Sequence, residues 1–289
     1  MKDIIILILL FCFVYLIFKK KDYFVESNKK EINLVINITL PIGNMIIAIK
    51  NAIHIALFYN YNNVILHKHP FFNETKIIIN ENENKISKNI YDQYNFFNKE
   101  RIKDIDMSLF DKNKRKTLEI IRKIFKLKNI KKYNSNEICI HIRGRDLFNS
   151  NPHPGYVTPP LDYYVKILNN KKYKNIYLVS EDKKNPTVNE LMKLYPNIKF
   201  KIQSLEEDIK LILGHENIVF SFGTFLKSLL LLSKNIKIVH KPSYQSFFSD
   251  YIPEVKLINY DLNDYKKKQS PWKNTEEQRK LMLSYKLKK

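Results

Sequence analysis

Two arginines separated by one glycine follow an apolar stretch near the middle of the chain. Residues 138–146 read I-C-I-H-I-R-G-R-D, so a predicted buried strand leads into Arg143, Arg145 and Asp146. A guanidinium group is planar, permanently charged and able to bind two oxygens of a phosphate at once. The spacing therefore predicts a phosphate-binding turn at the carboxyl end of a strand.

Two later apolar stretches also end in polar residues. Glu181 and Asp182 follow the first of them, and residues 221–224, which read S-F-G-T, follow the second. Ligands of open α/β sheets collect at the carboxyl ends of strands, so we expect these groups to meet the arginine turn in one site. Cations, carboxylates and hydroxyls together suit a charged, hydroxyl-rich molecule such as a nucleotide sugar.

The elements that would position these residues alternate regularly from residue 137 onward. The predicted strands are 138–142, 175–179, 198–202, 217–220 and 236–240. The predicted helices are 161–168, 187–194, 205–213 and 224–232, with a last helix at 275–287. This alternation predicts a parallel, doubly wound α/β sheet. Ser204 with Glu207, and Thr275 with Gln278, have the capping-box spacing that marks the start of a helix.

The first half of the chain is less regular. Strand-like runs at 32–38 and 62–66 enclose a long apolar segment, and a basic amphipathic helix is predicted at 114–128. Residues 73–100 are polar and predict loops and short helices. We expect an anchor and stalk at 1–30, an N-terminal α/β domain on the acceptor side at 31–132, a nucleotide-sugar-binding α/β domain at 133–265 and a basic C-terminal helix at 266–289.

Glycine is scarce enough to be informative. The chain has 5 glycines, where an average content of about 7% would give roughly twenty. Glycine is hard to replace where φ is positive or where backbone approaches another group closely. Gly43, Gly144 and Gly223 each follow a predicted strand, where a role in the site and ordinary turn chemistry are equally good interpretations. Gly214 follows a predicted helix and is expected to be its C-cap.

The chain carries a strong excess of positive charge. Its 289 residues include 50 Lys and Arg against 29 Asp and Glu, a formal net charge of +21. Such a balance raises nucleic acid and anionic membranes as partners. The lysine runs are scattered instead of interleaved with aromatic residues, and an A+T-rich genome would enrich lysine in any case. We therefore predict no specific nucleic-acid partner and keep a non-enzymatic membrane protein that binds polyanions as the alternative.

Residues 4–18 form an uninterrupted apolar run with lysines on both sides. A spanning helix needs about 20 residues, and lysines that reach the interface bring a shorter run within range. No small-residue cleavage site follows, so we expect an uncleaved single-pass anchor in the lipid bilayer. The flanking lysines favour a cytoplasmic globular part, whereas sequons at Asn37 and Asn73 suit a lumen, so the topology stays open.

The arginine turn resembles the H-x-R-x-x-D motif of the GDP-fucose-dependent fucosyltransferase superfamily, here His141, Arg143 and Asp146. Other segments that resemble the family in the same order are 42–44, 162–164, 177–182, 204–209 and 221–225. The resemblance covers most of residues 40–240. It implies a GT-B-like fold, with two Rossmann-like domains facing a cleft, and a location in the Golgi or ER lumen. It also implies an inverting transfer of fucose from GDP-fucose to a glycan or glycoprotein acceptor.

The resemblance assigns roles to individual residues. Arg143 is the expected catalytic residue, which binds the donor β-phosphate with support from Arg145. Asp182 and Asp208 would contact guanine or ribose, or else cap helices. The residues expected at the donor are Gly43, Asn44, His141, Arg143, Arg145, Asp146, Glu181, Asp182, Asp208, Ser221, Phe222, Gly223 and Thr224.

The chain also departs from the family pattern. The family has Arg-Arg where this chain has Arg143-Gly144, and often Asp-Asp where this chain has Glu181-Asp182. A donor other than GDP-fucose is therefore the second alternative. No cofactor and no metal are expected: Asp104 and Asp106 match a metal-binding D-x-D pattern but follow polar residues instead of an apolar strand.

Overall fold

A computed structural model describes residues 30–35, 41–58, 63–66, 68–73, 76–78, 87–92, 107–247 and 249–288. The predicted anchor at 4–18, the sequon at Asn37 and the D-x-D pair lie outside these residues. None of the helices that the structure describes is long and apolar enough to cross a membrane.

The chain divides into two compact units. The first ends at Lys126 and the second begins at Leu127, and the second also takes in Pro41–Asn44. The predicted division of the chain into four parts stays a prediction.

The first unit contains a four-stranded sheet in the order β3-β2-β1-β4. Its elements are β1 (Lys30–Val35), α1 (Ile42–Phe58), β2 (Asn63–Leu66), β3 (Lys76–Ile78), β4 (Ser87–Asp92) and α2 (Met107–Ile124). The part of α1 before Met45 belongs to the second unit. β1 pairs in parallel with β2 and β4, and β3 pairs antiparallel with β2. The prediction of loops and short helices at 73–100 was wrong at β3 and β4. β3 is only three residues long and β4 is polar without strand-like alternation, so backbone pairing with neighbouring strands decides their conformation.

The second unit is built on six parallel strands in the order β10-β9-β8-β5-β6-β7. The strands are β5 (Glu137–His141), β6 (Asn175–Val179), β7 (Ile198–Phe200), β8 (Asn217–Phe220), β9 (Ile238–Pro242) and β10 (Lys256–Tyr260). The helices are α3 (Leu161–Asn170), α4 (Pro186–Leu194), α5 (Leu205–Gly214), α6 (Thr224–Leu232), α7 (Asn263–Gln269) and α8 (Glu276–Ser284). The predicted α/β fold with a parallel sheet is confirmed.

The strand order places the switch of winding direction between β5 and β8. If the six strands are renumbered 1 to 6 along the chain, starting at β5, their order from β7 to β10 is 3-2-1-4-5-6. This is the order of doubly wound dinucleotide-binding sheets. Right-handed crossovers then put helices on both faces. In agreement, α3, α4 and α8 pack together, and α5 packs against α6. His141 pairs with Phe220, so β5 and β8 end at nearly the same level.

Alternate residues of β5 face the two helix layers. Ile138, Ile140 and Ile142 are buried in the same cluster as Tyr163 and other side chains of α3. The Tyr163 hydroxyl lies 2.9 Å from the carbonyl oxygens of both Phe220 and His240. One helix thereby fixes the carboxyl end of β8, next to the predicted site, and the middle of β9.

Several local predictions can be compared with the structure directly. Both capping boxes are present, at Ser204–Glu207 and Thr275–Gln278. Gly214 is the last residue of α5, and its φ is not positive. The C-cap is His215, so the prediction for Gly214 was wrong. A Cβ on Gly214 would collide with the carbonyl oxygen of Lys131, so close backbone approach explains this glycine. β10 and α7 were not predicted.

Candidate functional site

The backbone of Arg143 is held from two sides at the switch point. Its N–H donates to Ser221 Oγ at 3.1 Å, and its carbonyl oxygen accepts from Asn185 Nδ2 at 3.0 Å. Asn185 is itself fixed, because its Oδ1 accepts the Thr187 N–H at the start of α4. The turn after β5 is therefore tied to β8 and to α4.

The side chain of Arg143 is oriented by a carboxylate and an aromatic ring. Its Nε and Nη2 donate to Asp146 at 3.2 and 2.7 Å, and its Cζ lies 4.8 Å from the centre of the Tyr156 ring. This fork-to-carboxylate geometry leaves the remaining N–H groups of the guanidinium for another acceptor. Asp146 orients the guanidinium group, and its contact with the donor stays a prediction.

Gly223 brings the start of α6 up to Arg143. Its φ of +99° lies in a region that favours glycine, and an added Cβ would lie 2.7 Å from Arg143 Nη1. No side chain caps the N-terminus of α6. The unpaired N–H groups and the positive end of the helix dipole therefore lie beside the arginine fork, an arrangement that suits a phosphate group.

Gly43 and Asn44, which belong to the second unit, contact the same helix end. Thr224 Oγ1 lies 2.6 Å from Asn44 Oδ1 and donates to it. A Cβ on Gly43 would lie 2.7 Å from the backbone nitrogen and Cα of Phe225. The requirement for glycine here comes from close backbone approach.

Asp182 has a clear structural contact. Its Oδ1 accepts the backbone N–H groups of Arg145, at 3.2 Å, and Lys184, at 3.0 Å. Gly144 allows this, because a Cβ there would collide with the same oxygen. Arg145 has a positive φ of 45°. The N-cap of α4 is Asn185, so the helix-capping alternative was wrong for Asp182, and its contact with a nucleoside stays a prediction.

Glu181 and Asp208 bring negative charge to the ends of β6 and β7. Partial burial raises the pKa of Glu181, opposed by Arg145 and reinforced by Asp146. Partial burial also raises the pKa of Asp208 to about 6, opposed by a hydrogen bond from Gln203 and reinforced by Glu181. Burying a carboxylate disfavours its charged form. A bound group that donates hydrogen bonds to either acid would therefore stabilise the charged carboxylate.

His141 is buried on the α6 side of β5. Its ring centre lies 5.3 Å from that of Phe225, and its Nδ1 has no hydrogen-bond partner among the described residues. Burial, together with the charge of Arg143, lowers the pKa of His141 to about 4. The imidazole is therefore neutral at neutral pH.

The structure arranges the predicted residues in two groups. Around the arginine fork lie His141, Arg143, Asp146, Ser221, Phe222, Gly223, Thr224, Gly43 and Asn44. On the β6 and β7 side lie Arg145, Glu181, Asp182 and Asp208. Their common role as donor contacts stays a prediction. No group of three His, Cys, Asp or Glu side chains within the described ranges is placed to hold a metal ion.

Sequence reasoning missed Tyr156 and Asn185. Tyr156 lies against the Arg143 guanidinium, stacks on His153 at 4.2 Å and contacts Phe222 at 4.9 Å. Both residues sit in segments that read as ordinary loops. The run H-P-G-Y in the proline-rich loop was the available signal, since it places an aromatic ring shortly after the arginine turn.

The first unit has a cavity of its own, with a volume of about 680 Å³. Its lining includes Lys68, His69, Phe72 and Lys126. His69 Nδ1 accepts the Phe71 N–H at 3.2 Å, and burial lowers the pKa of His69. The histidine therefore holds a turn at the edge of a basic cavity.

No protein-family model and no curated protein matches the chain. Two solved structures are similar to it. E. coli ADP-heptose LPS heptosyltransferase II is 10% identical over 79% of this chain and 90% of its own, with a TM-score of 0.40. E. coli heptosyltransferase WaaC with ADP is 10% identical over 80% of this chain and 91% of its own, with a TM-score of 0.38. Similarity at this level carries no conclusion about the family or activity of this chain.

Gly223 and Gly214 should respond differently to an added methyl group. Gly223→Ala places Cβ against the end of the Arg143 side chain, so we expect weaker binding of inorganic pyrophosphate, by about 10-fold. Gly214→Ala meets a backbone carbonyl instead and should lower the melting temperature while leaving pyrophosphate affinity unchanged below the transition. Calorimetric titration and thermal unfolding of both variants test this. Unchanged pyrophosphate affinity in Gly223→Ala would separate this glycine from the anion site.

Asp208 should destabilise the unliganded protein at neutral pH. A pKa raised to about 6 in the folded state means that folded protein loses stability as pH rises from about 4 through 6. Asp208→Asn should therefore raise the unfolding free energy by about 1 kcal/mol near pH 8, and by little near pH 4. Denaturant unfolding across this range measures the difference. Asp264→Asn should do the opposite, because a hydrogen bond from Lys268 lowers the pKa of Asp264. A stabilisation by Asp208→Asn that does not vary with pH would exclude this explanation.

Proposed function

We propose that this chain is a glycosyltransferase that uses a nucleotide-sugar donor, with Arg143 as its catalytic contact to the donor diphosphate. The observation that supports this is the Arg143 fork, oriented by Asp146 beside the uncapped N-terminus of α6 at the switch point of a doubly wound sheet. Two independent sources of positive potential converge there, one from a side chain and one from a helix end.

Sugar transfer requires a site that stabilises negative charge on a leaving phosphate. An acceptor hydroxyl attacks the anomeric carbon while the bond from that carbon to the phosphate oxygen breaks, and the nucleoside diphosphate leaves with the electron pair. Negative charge grows on the leaving phosphate in the transition state, so donors fixed around that oxygen lower the barrier. Arg143 and the first N–H groups of α6 would supply these hydrogen-bond donors. The hydroxyl proton passes to a base, a role to which we assign no residue.

The acidic side of the site suits the nucleoside. In sheets of this order, one half of the ligand lies over the strands that correspond to β5, β6 and β7. Glu181 and Asp208 follow β6 and β7, and carboxylates accept hydrogen bonds from ribose hydroxyls or from the N–H groups of guanine. GDP is therefore the proposed nucleotide, and fucose the proposed sugar on the strength of the H-x-R-x-x-D resemblance.

His141 would support the same reaction. Its buried Nδ1 lacks a partner among the described residues, and a neutral imidazole can donate one hydrogen bond without adding charge. We propose that this ring donates to the donor phosphate or to a water bound to it. We further propose a glycan or glycoprotein acceptor, attachment to the bilayer through residues 4–18 and catalysis without metal or cofactor.

A panel of nucleotides should select GDP. Ligand at about 100 times its dissociation constant stabilises the native state by about 2.7 kcal/mol, which raises the melting temperature of a protein of this size by roughly 5–10 °C. We expect GDP to produce this shift in the full-length chain with chelator present. UDP, ADP and CMP serve as comparisons. Equal shifts from all four would leave no basis for a GDP site, and loss of the shift with chelator would contradict metal-independent binding.

Conservative substitution should separate the two arginines. Lysine keeps the charge but loses the planar fork, so Arg143→Lys should lower the rate of sugar transfer by roughly 100-fold. Arg145→Lys should cost less than about 10-fold, because the Arg145 contact that the structure shows uses its backbone N–H. Turnover of GDP-fucose by both variants, after each is shown to melt like wild type, provides the measurement. Similar small losses in both would remove Arg143 from the reaction.

A further inference from the structure

Two lysines approach one aromatic ring beside the candidate site. Lys241 is the second-last residue of β9, and Lys227 is the fourth residue of α6. Their Nζ atoms are 5.6 and 5.9 Å from the centre of the Phe247 ring. The centre of the Phe247 ring lies 4.7 Å from that of Phe220, the last residue of β8. The lysine pair therefore lies at the carboxyl end of the sheet.

Neither ammonium group is neutralised by a carboxylate among the described side chains. Lys241 Nζ donates to the carbonyl oxygens of Gln245 at 2.6 Å and Pro242 at 3.3 Å, which fix its position but carry no full charge. The attraction of a cation to an aromatic ring stabilises its position but does not cancel its charge. The surface lysine Lys237 differs, since it pairs with Glu216 at 2.7 Å.

The pair is also partly withdrawn from water. Lys241 is only 7% exposed and Lys227 is half-buried. Burial lowers the pKa of both groups, and the charge of Lys241 lowers the pKa of Lys227 further. The charge of Lys241 acts on Lys227, and repulsion between two partly desolvated cations costs free energy that a bound anion would recover.

The lysine pair lies apart from the Arg143 fork. Val219 pairs with His240, so Lys241 stands level with Phe220 on the β9 side of β8, whereas Arg143 follows β5 on the other side. Neighbouring strands are about 4.8 Å apart, which puts β5 and β9 roughly 10 Å apart. Hydrogen bonds to Pro242 and Gln245 hold the Lys241 ammonium on the β9 side.

We infer that Lys227 and Lys241 bind a phosphate monoester carried by the acceptor. A phosphate monoester has a charge close to −2 at neutral pH, which matches two ammonium groups, and lysine binds phosphate as a point charge. The Phe247 ring offers an apolar surface for the group that carries the phosphate. The assignment to the acceptor rests on the proposed donor site at Arg143, but the anion site itself does not.

Inorganic phosphate is the probe that tests this site. It is titrated calorimetrically into the full-length chain, with and without saturating GDP, at matched ionic strength and well below each melting temperature. We expect phosphate to bind while GDP is present. Lys227→Gln should weaken this binding at least about 10-fold, and Lys237→Gln should leave it unchanged.

Two results would overturn the inference. Phosphate affinity in Lys227→Gln equal to wild type would show that the lysine pair binds no anion. Displacement of GDP by phosphate, lost in Lys227→Gln, would make the pair part of the donor site instead. If GDP fails to bind at all, the proposed function fails, and the comparison of Lys227→Gln with Lys237→Gln in phosphate alone still decides whether the anion site exists.

Discussion

The candidate site depends on two hydrogen bonds to the backbone of one residue. Ser221 accepts the N–H of Arg143 and Asn185 donates to its carbonyl, so the turn that follows β5 is fixed to the turn before α6 and to the start of α4. Without them, the arginine would extend from a loop with many conformations, and ordering it on binding would cost conformational entropy. With them, Asp146 and Tyr156 need only orient a side chain whose origin is already set.

Charge is distributed unevenly along the carboxyl edge of the second sheet. Carboxylates follow β6 and β7, a cationic fork follows β5, and a lysine pair lies at β9 and α6. A molecule with neutral hydrogen-bond donors at one end and anionic groups further along would complement this order. The net charge of +21 is a sum over the whole chain and does not report this arrangement.

The alternating half of the chain was predictable, and the reasons are local. The strands Asn175–Val179 and Asn217–Phe220 and the helix Thr224–Leu232 were predicted with the bounds that the structure shows, because apolar runs there end at clear turn or capping residues. β4 was missed because S-K-N-I-Y-D carries almost no alternation, and its pairing with β1 is a long-range contact. Arg143, Gly223 and Ser221 could be grouped from strand ends alone. Asn185 and Tyr156 could not, because only the folded chain brings their loops beside the arginine.

The uncapped start of α6 has a consequence for motion. The side chains of Asn185, Ser204 and Thr275 cap α4, α5 and α8, but Gly223 has no side chain to offer. The first turn of α6 should therefore exchange its amide hydrogens more readily than the rest of the helix in the free protein. An anion seated there would act as the missing cap. Ligand binding and the final ordering of this helix end would then be a single event, and the slowing of amide exchange would be confined to one turn.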